Sequence, residues 1–281
     1  AGTALYPERR QEQSREDYQR QNLILTVKYG VFLLAAFAVL RGALVVTGRS
    51  MTVSNSVNGR ELPIYCVQTE EKKIALSFDA AWGNEDTQEL IDILNKYNIN
   101  ATFFVVGQWV DKYPESVKAL HDAGNEVMSH SDDHAHFAQL SADEIKSNIA
   151  ASNEKIKKIT GTEPTLFRCP YGEYNDTVIS TVNSMGMSAI QWDVDSLDWK
   201  GISASDISDR VLKNVKSGSI VLFHNAAENT PEALPGIIEG LIADGYKIVP
   251  VSQILLTGDY TIDNTGMQCQ AKQSSDAKAD A

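Results

Sequence analysis

The sequence predicts an α/β fold, a distorted (β/α)7 TIM-like barrel that follows a membrane-anchor helix. Seven strand-like runs alternate with helical patterns between residues 74 and 251, and the connections between them are short. Such alternation is typical of a parallel sheet. Polar residues follow several of the runs where each strand should end, and a parallel barrel assembles its functional site at the carboxyl ends of its strands. An open doubly wound sheet would instead gather its ligands at one crevice between two strands, so polar residues at many strand ends favour the barrel.

The N-terminal region predicts a cytoplasmic leader over residues 1–22 and a transmembrane signal anchor over residues 23–47. The leader is polar with four arginines, whereas residues 29–46 carry a single charge, Arg41, toward their far end. A membrane helix needs about 20 largely apolar residues, and basic residues favour the cytoplasmic side. We therefore expect a single-pass protein of the cell membrane whose main domain lies outside the cytoplasm. A cleaved signal peptide would show a shorter leader and a small-residue exit site, and a buried amphipathic helix would show regular polar positions.

Residues 48–73 predict a connector, and residues 257–281 predict a tail that is largely disordered. The connector contains two short strand-like runs, 51–53 and 64–67, which favour a small hairpin. From residue 270 onward the tail has no apolar residue larger than alanine, so it cannot bury enough surface to order itself. The main domain is therefore expected over residues 74–256.

Local patterns predict the elements of this main domain in order. Apolar stripes at helical spacing predict helices around residues 90–97, 145–159 and 207–215. Ser141 and Glu144 form a capping-box pattern before the second of these helices, and Gly161 and Gly245 stand where helices should end. The strand-like runs lie at residues 74–78, 102–106, 126–129, 165–168, 188–192, 219–223 and 247–251.

Charge and cysteine content argue against two classes of function. The chain has 25 basic and 37 acidic side chains, a net charge of −12, and phosphate binding needs a basic surface, so no nucleic-acid partner is expected. No C-x-x-C pair occurs, which argues against a cysteine zinc site. An odd number of cysteines leaves at least one thiol free or paired between chains. A Cys66–Cys269 bridge would require export of the domain, and Cys169 is expected to be a small apolar filler.

The segment His130-Ser-Asp-Asp-His134 is the first candidate site. Two imidazoles four positions apart can face one divalent cation, and neutral imidazole is the commonest protein ligand for such a metal. The alternative is a solvated loop or helix edge that contains two histidines by chance. Asp132 and Asp133, which lie between the two histidines, could lend a carboxylate to the metal.

Polar blocks follow four other predicted strands. Asp79 ends the first strand-like run, where a carboxylate would serve as metal ligand, as general base or as the cap of a helix over residues 85–97. Each other block also has an ordinary structural interpretation, as a turn, a turn with an aromatic lid or a core histidine. The blocks are Ser77-Phe-Asp-Ala80, Arg168-Cys-Pro-Tyr171, Asp195-Ser-Leu-Asp-Trp199 and Leu222-Phe-His-Asn225.

In chain order these blocks resemble the NodB-type polysaccharide deacetylase family of carbohydrate esterases, over residues 70–256. The continuation Trp82-Gly83-Asn84 after the first block resembles most closely that of the spore-associated peptidoglycan deacetylase-like members. The resemblance implies that His130 and His134 bind a divalent metal, usually zinc. It also implies that Asp79 is the general base and His224 the general acid. The remaining implied roles are Arg168 pairing with Asp79, Tyr171 donating its amide to the oxyanion, Asp198 bonding His224, and Trp199 and Leu222 lining the substrate site.

The first block departs from the family pattern at a metal ligand. Family members carry two adjacent aspartates, the base and then the ligand, where this chain has Asp79 followed by Ala80. Two imidazoles lack the three-ligand shell that is usual for a catalytic zinc. The metal would then bind weakly, recruit Asp79 as a third ligand and end its action as a base, or be absent.

The resemblance therefore carries two expectations of function. The first is metal-dependent hydrolysis of N-acetyl groups on peptidoglycan, at GlcNAc or MurNAc residues, in spore or cell-wall maturation. The second is a catalytically weak or inactive protein on the same fold that binds glycan or serves in wall assembly. In both cases the expected partners are cell-wall polysaccharide and, through the N-terminal helix, the membrane.

Overall fold

A computed structural model describes residues 60–271 of the chain. The expected leader, the membrane anchor and the first run of the connector hairpin lie outside the described residues, as do residues 272–281 of the tail. No helix within residues 60–271 combines the length and the apolar character that crossing a membrane requires.

Strands and helices alternate along the described residues, and each of the seven predicted runs contains a strand. The strands of residues 60–271 are β1 (Cys66–Val67), β2 (Lys73–Ala80), β3 (Thr102–Val105), β4 (Glu126–Ser129), β5 (Leu166–Phe167), β6 (Ser188–Ala189), β7 (Val194–Asp195), β8 (Ile220–His224), β9 (Lys247–Ile248), β10 (Tyr260–Ile262) and β11 (Met267–Gln270). The helices are α1 (Thr87–Lys96), α2 (Gly107–Lys112), α3 (Pro114–Asp122), α4 (Ala142–Thr160), α5 (Asp176–Ser184), α6 (Ala204–Asn214), α7 (Thr230–Ala243) and α8 (Val251–Ile254). Three 3₁₀ turns lie at Phe137–Gln139, Pro170–Gly172 and Asp198–Lys200.

The main sheet is parallel and strongly curled. Its strand order is β6-β5-β4-β3-β2-β8-β7, and β9 pairs separately with the start of β2. The two edge strands, β6 and β7, are separated along the chain only by residues 190–193. A flat sheet of seven strands would be about 29 Å wide, whereas a link of four residues spans at most about 17 Å. The two edges must therefore approach each other, and the sheet curls into a half-barrel.

The predicted α/β class and parallel sheet are confirmed, and the predicted distorted barrel is a strongly curled half-barrel. The predicted run 188–192 is interrupted, and β6 and β7 lie on opposite edges without pairing to each other. The segment before β1 lies at the gap instead: Ile64 N donates to Ala189 O at 2.9 Å, and Gln191 N donates to Ile64 O at 2.7 Å. Val67 N donates to Gly218 O, which precedes β8. The half-barrel is thus closed by a segment from outside the strand–helix alternation.

A second, three-stranded sheet contains the end of the described chain. Its order is β1-β11-β10, with β1 parallel and β10 antiparallel to β11. The expectation of a largely disordered tail from residue 257 is therefore not met over residues 260–270. Composition did not predict this order, because β10 pairs with β11, and β11 pairs with β1, which lies about 200 positions earlier in the sequence. The run 64–67 contains β1 (Cys66–Val67), which pairs with β11 in this sheet.

The central strand β2 separates an apolar layer from a polar one. Phe78 lies in the large cluster between the sheet and the helices, where its ring stacks on Phe103 at 4.8 Å and on Phe223 at 5.3 Å. Complete burial of such a side chain contributes about 1.5–3 kcal/mol. Side chains alternate along a strand, so Ser77 and Asp79 point to the opposite face, inside the curl. Packing of Phe78 against the helix side of the sheet therefore fixes β2 and, with it, the polar side chains on the inner face.

Local signals for helix ends and for the cysteines are confirmed. Helix α4 begins with a complete capping box between Ser141 and Glu144, and it ends at Gly161 in the left-handed region, with φ 73°. Cys66, Cys169 and Cys269 are free thiols. Cys169 is buried in an apolar cluster, and burial raises the pKa of its thiol to about 12, as an inert packing residue requires.

Candidate active site

Parallel pairing brings the predicted site residues to one end of the sheet. Asp79 near the end of β2 lies in register with His224 at the end of β8. His130 directly follows β4, and Arg168 directly follows β5. Asp198 lies in the 3₁₀ turn after β7. Residues that are up to 145 positions apart in the sequence thus share one concave face.

Asp79 is held by a fully buried arginine. Arg168 Nη1 donates to Asp79 Oδ1 at 2.8 Å, and its Nη2 donates to Ser77 Oγ at 2.9 Å and to Gln191 O at 3.1 Å. The guanidinium also lies over the Phe104 ring at 4.1 Å. Burial opposes ionisation of Asp79, but the charge of Arg168 and its hydrogen bond outweigh burial and keep the pKa of this carboxyl below its usual value. Asp79 is therefore an oriented carboxylate.

His130 is buried and has a defined tautomer. Its Nδ1 lies 2.8 Å from Arg168 O, an atom that can only accept, so Nδ1 carries the proton. The other nitrogen, Nε2, lies 3.5 Å from Asp79 Oδ2. Burial lowers the pKa of His130, which leaves the imidazole neutral at neutral pH. Two buried electron-pair donors therefore face each other without a proton between them, an arrangement that a cation would stabilise.

His134 completes a pair of neutral imidazoles. Its ring centroid lies 5.0 Å from that of His130, and its Nδ1 is buried without a hydrogen-bond partner. Burial, together with His130, lowers the pKa of His134 to about 4. The residue has a φ of 58°, a conformation that costs energy for a non-glycine residue and that is found at functional sites.

Two neighbouring imidazoles, His130 and His134, could bind a divalent cation, and the carboxylate of Asp79 contacts His130. Ala80, the last residue of β2, is buried and supplies no ligand. Within residues 60–271 no group of three or more histidine, cysteine or acidic side chains has a complete metal-binding arrangement. The orphaned nitrogen of His134 and the bare nitrogen of His130 are the observations that favour a cation at this point.

The two aspartates between the histidines are used elsewhere. Asp132 Oδ1 lies 2.6 Å from Lys155 Nζ, which also pairs with Asp111. Asp133 Oδ1 accepts from Asn148 Nδ2 at 2.7 Å. Both carboxylates therefore anchor the loop to α4, and the alternative in which one of them lends a ligand has no support in their contacts.

His224 and Asp198 form the second charged pair of the site. His224 Nδ1 lies 2.8 Å from Asp198 Oδ1, as the family resemblance implies. Asp198 is itself buried, and its Oδ2 accepts from His224 N and from Thr230 Oγ1, both at 2.8 Å. Trp199 N donates to Asp198 Oδ1, also at 2.8 Å. The carboxylate has several donors and cannot rotate away from the imidazole.

The expected substrate-contacting residues surround these pairs. Tyr171 lies in a 3₁₀ turn with φ 59°, and its exposed ring stacks on His136 at 4.4 Å and meets the edge of His134 at 4.4 Å. Trp199 is exposed beside Asp198, whereas Leu222 is buried and pairs in register with Ser77, on the inner face. The structure thus brings all the sequence-predicted residues to one site.

The sequence analysis assigned no role to four supporting residues. Ser77 lies two positions before Asp79 and so shares its face, a signal that strand alternation could have given. Asn225 directly follows His224 and bonds Ala81 N and Trp82 O. Gln191 O and Thr230 Oγ1 reach the site only through tertiary packing, and no local pattern marks them.

Known proteins share both the sequence and the fold. A sequence model described as polysaccharide deacetylase matches residues 67–190. Peptidoglycan-N-acetylmuramic acid deacetylase PdaC of Bacillus subtilis is 39% identical over 188 residues, which cover 67% of this chain and 40% of the relative. A peptidoglycan-N-acetylglucosamine deacetylase of Bacillus cereus is 36% identical over 194 residues, 67% of this chain and 91% of the relative. The chain therefore spans less than half the length of one relative and most of the other.

A solved structure supplies a third comparison. Wild-type BA3943 from Bacillus anthracis, described as a CE4 family pseudoenzyme, matches with a TM-score of 0.66 and 34% identity over 68% of this chain and 68% of that chain. A BA3943 mutant described as having restored enzymatic activity matches equally well, with a TM-score of 0.66. Since sequence blocks, fold and relatives agree, the chain belongs to the polysaccharide deacetylase (NodB, CE4) family.

Proposed function

We propose that this chain hydrolyses N-acetyl groups on the amino sugars of peptidoglycan. The proposal rests on two side chains of neighbouring strands that are suited to opposite proton transfers. Asp79 is held ionised by Arg168, and the pKa of His224 is raised beside Asp198. Groups whose environments drive their pKa values apart are typical of a general base and a general acid. The similarity to two peptidoglycan deacetylases, PdaC and the Bacillus cereus relative, supports peptidoglycan as the substrate class.

The residues of this chain account for the proton transfers of amide hydrolysis. Asp79 accepts a proton from the attacking water, and the hydroxyl oxygen forms the new bond to the acetyl carbon. The Tyr171 amide donates to the oxyanion that develops on the former carbonyl oxygen. His224 then gives its proton to the sugar nitrogen as the C–N bond breaks, leaving acetate and a free amine. A divalent cation held by His130 and His134 would polarise the carbonyl and the water.

A second candidate function is glycan binding without turnover. Ala80 removes a carboxylate from the place where family members carry one, and residues 60–271 hold no three-ligand metal cluster. The similarity to BA3943, described as a pseudoenzyme, favours the same candidate. On this interpretation the chain binds cell-wall polysaccharide at the same site and serves in spore or cell-wall assembly.

Acetate release separates the two functions. The 281-residue chain would be incubated with peptidoglycan and with an N-acetylglucosamine tetramer, and free acetate would be measured. We expect release by the wild type, and a loss of turnover of at least about 10²-fold in Asp79→Asn and in His224→Ala, the scale of lost acid–base catalysis. Saturable glycan binding without acetate would support the second candidate, and unchanged release in either variant would remove the assigned roles.

A further inference from the structure

Trp82 lies outside the residues to which the family resemblance assigns a role, yet it is prominently exposed. Within residues 60–271 the exposed large apolar side chains are Trp82 at 65%, Trp199 at 57%, Tyr171 at 56% and Ile242 at 48%. The three aromatic residues of this set follow β2, β5 and β7, the strands whose ends form the candidate active site. Exposed apolar groups that cluster at one place on a surface mark a binding site more often than scattered ones do.

The backbone beside Trp82 is held firmly, although the side chain is exposed. Buried Asn225 donates from Nδ2 to Trp82 O at 3.1 Å and accepts at Oδ1 from Ala81 N at 3.2 Å. The following residue is held as well, because Trp109 Nε1 donates to Gly83 O at 2.8 Å. The fold therefore fixes the segment and leaves the indole in solvent, which loses the free energy that burial of a large ring would provide.

Trp82 is the first member of an aromatic row that lines one wall of the site. Its ring centroid lies 5.9 Å from His134, His134 lies 4.4 Å from Tyr171, and Tyr171 stacks on His136 at 4.4 Å. His136 Nδ1 lies 2.8 Å from Glu173 Oε2, which fixes the far end. The row starts three positions after Asp79 and lines the wall with rings, of which Trp82 and Tyr171 are inclined to His134 by 56° and 72°.

We propose that Trp82 is a sugar-binding platform for a pyranose ring next to the one that is deacetylated. The inference rests on the proposed function, because it assigns a neighbouring subsite to the same glycan. A pyranose presents an apolar face of C–H groups and a polar rim, which matches an indole held at the edge of a hydrated groove. The net charge of −12 disfavours a polyanionic occupant, whereas an uncharged ring such as N-acetylglucosamine meets no electrostatic repulsion. Oligomers should therefore bind through Trp82, and a single sugar should not.

Calorimetric titration with N-acetylglucosamine monomer and tetramer tests the platform on the 281-residue chain. Truncating a central aromatic contact typically weakens binding by about tenfold, so Trp82→Ala should raise the Kd of the tetramer by about that factor. Trp82→Phe should retain most of the affinity because a ring remains. In a turnover assay Trp82→Ala should raise KM and leave kcat nearly unchanged, the signature of a lost binding contact.

Ile242→Ala is the matched control, since Ile242 is also exposed but lies in α7 (Thr230–Ala243). It should leave the Kd of the tetramer unchanged. The melting temperature of Trp82→Ala should match that of the wild type, which excludes unfolding as the cause of weaker binding. If the wild type releases acetate and Trp82→Ala binds the tetramer with the same Kd as the wild type, the platform would be overturned while the proposed function stands. A wild type that neither binds the tetramer nor releases acetate would overturn the proposed function and the platform with it.

Discussion

The protonation of His224 is governed by the carboxylates around it. Burial lowers the pKa of an imidazole, but the hydrogen bond to Asp198 and the charges of Asp198, Asp79 and Asp195 outweigh burial, so the pKa of His224 is raised. A general acid must hold its proton at the pH of the reaction, and a raised pKa extends the protonated form to higher pH. Asp198 therefore keeps His224 protonated, and able to act as an acid, up to a higher pH.

Replacing Asp198 should shift the pH dependence of turnover. In Asp198→Asn the imidazole loses its charged partner, so we expect the basic limb of the kcat profile to move to lower pH. The folded pKa of His224 lies above its unfolded value, so its contribution to stability is complete below about pH 6.5 and is lost as the pH rises through the folded pKa. The unfolding free energy of Asp198→Asn should thus fall further below wild type at pH 5 than at pH 9.

Asp195→Asn is the matched control for this shift. Asp195 influences His224 through its charge, but its Oδ1 accepts from Leu197 N and makes no hydrogen bond to the imidazole. The basic limb should therefore move less in Asp195→Asn than in Asp198→Asn. Identical profiles for the wild type and Asp198→Asn would contradict the assignment of His224 as the acid.

Ala80 is the position at which metal affinity should be restored. Ala80→Asp adds a carboxylate next to Asp79 at the end of β2, and we expect zinc to bind at least about tenfold more tightly, since even changes outside the ligand shell shift affinity by about 10–100-fold. Without zinc the variant should be less stable, because Ala80 is buried among apolar side chains and an unpaired charge there is costly. Zinc calorimetry and denaturation of the metal-free protein measure the two effects.

Ala80→Asn separates charge from size at the same position. It should lose stability through steric and polar burial but should gain little zinc affinity, because an amide oxygen carries no charge. Equal and tight zinc binding by the wild type and by Ala80→Asp would instead show that Asp79 already completes the ligand set together with His130 and His134.

At the level of elements, the start of α4 bears on the candidate active site, because Asp132, Asn148 and Lys155 tie the histidine loop to this helix. Ser141 Oγ accepts from Glu144 N, and Glu144 Oε2 accepts from Ser141 N at 2.8 Å. The capping box thus supplies partners to backbone N–H groups that the first turn of the helix leaves unpaired.

Loss of the cap should lower stability measurably. We expect Ser141→Ala to reduce the unfolding free energy by about 1 kcal/mol, the usual cost of removing a serine cap. Ser180→Ala, inside α5 and without a capping role, should change it by less than about 0.5 kcal/mol, the typical range for surface substitutions. Urea denaturation with an unchanged m-value would measure both. A Ser141→Ala curve that overlays the Ser180→Ala curve would mean that α4 does not depend on its capping box.

The curl of the sheet brings site residues from distant strands together across the whole molecule. Arg168 of the β5 side reaches Asp79 of β2, although β4 and β3 lie between these strands in the sheet. A flat sheet would hold β5 and β2 about 14 Å apart, which is too far for a direct hydrogen bond from a strand-end arginine. The buried ion pair therefore depends on the half-barrel shape.

The membrane anchor remains a prediction for the chain as a whole. Because residues 29–46 carry one charge and follow a basic leader, the 281-residue chain should remain with membranes after an alkaline carbonate wash. Protease added to the outer side should remove the main domain and spare the leader. Release of the intact chain by carbonate, or recovery of a soluble form that begins near residue 48, would contradict the anchor.

Local patterns in the sequence accounted for most elements and for the composition of the site. Strand runs such as 102–106 and the capping box at Ser141 could be predicted because burial alternation and capping act between near neighbours along the chain. The residues of the two charged pairs could be named because their sequence blocks resemble those of the polysaccharide deacetylase family, and parallel strands bring such blocks to one face. The departure at Ala80 was likewise visible from the sequence.

Pairing between distant segments could not be predicted in this way. The chain order does not reveal that β6 and β7 lie on opposite edges, that the segment at Ile64 occupies the gap between them, or that β10 and β11 order the tail against β1. Nor did it reveal the aromatic row from Trp82 to His136, or the hydrogen bond from Thr230 to Asp198. Periodicity records only which face of an element is buried. Which elements meet depends on hydrogen bonds and packing between residues far apart in the chain, and those contacts are specified by the folded molecule as a whole.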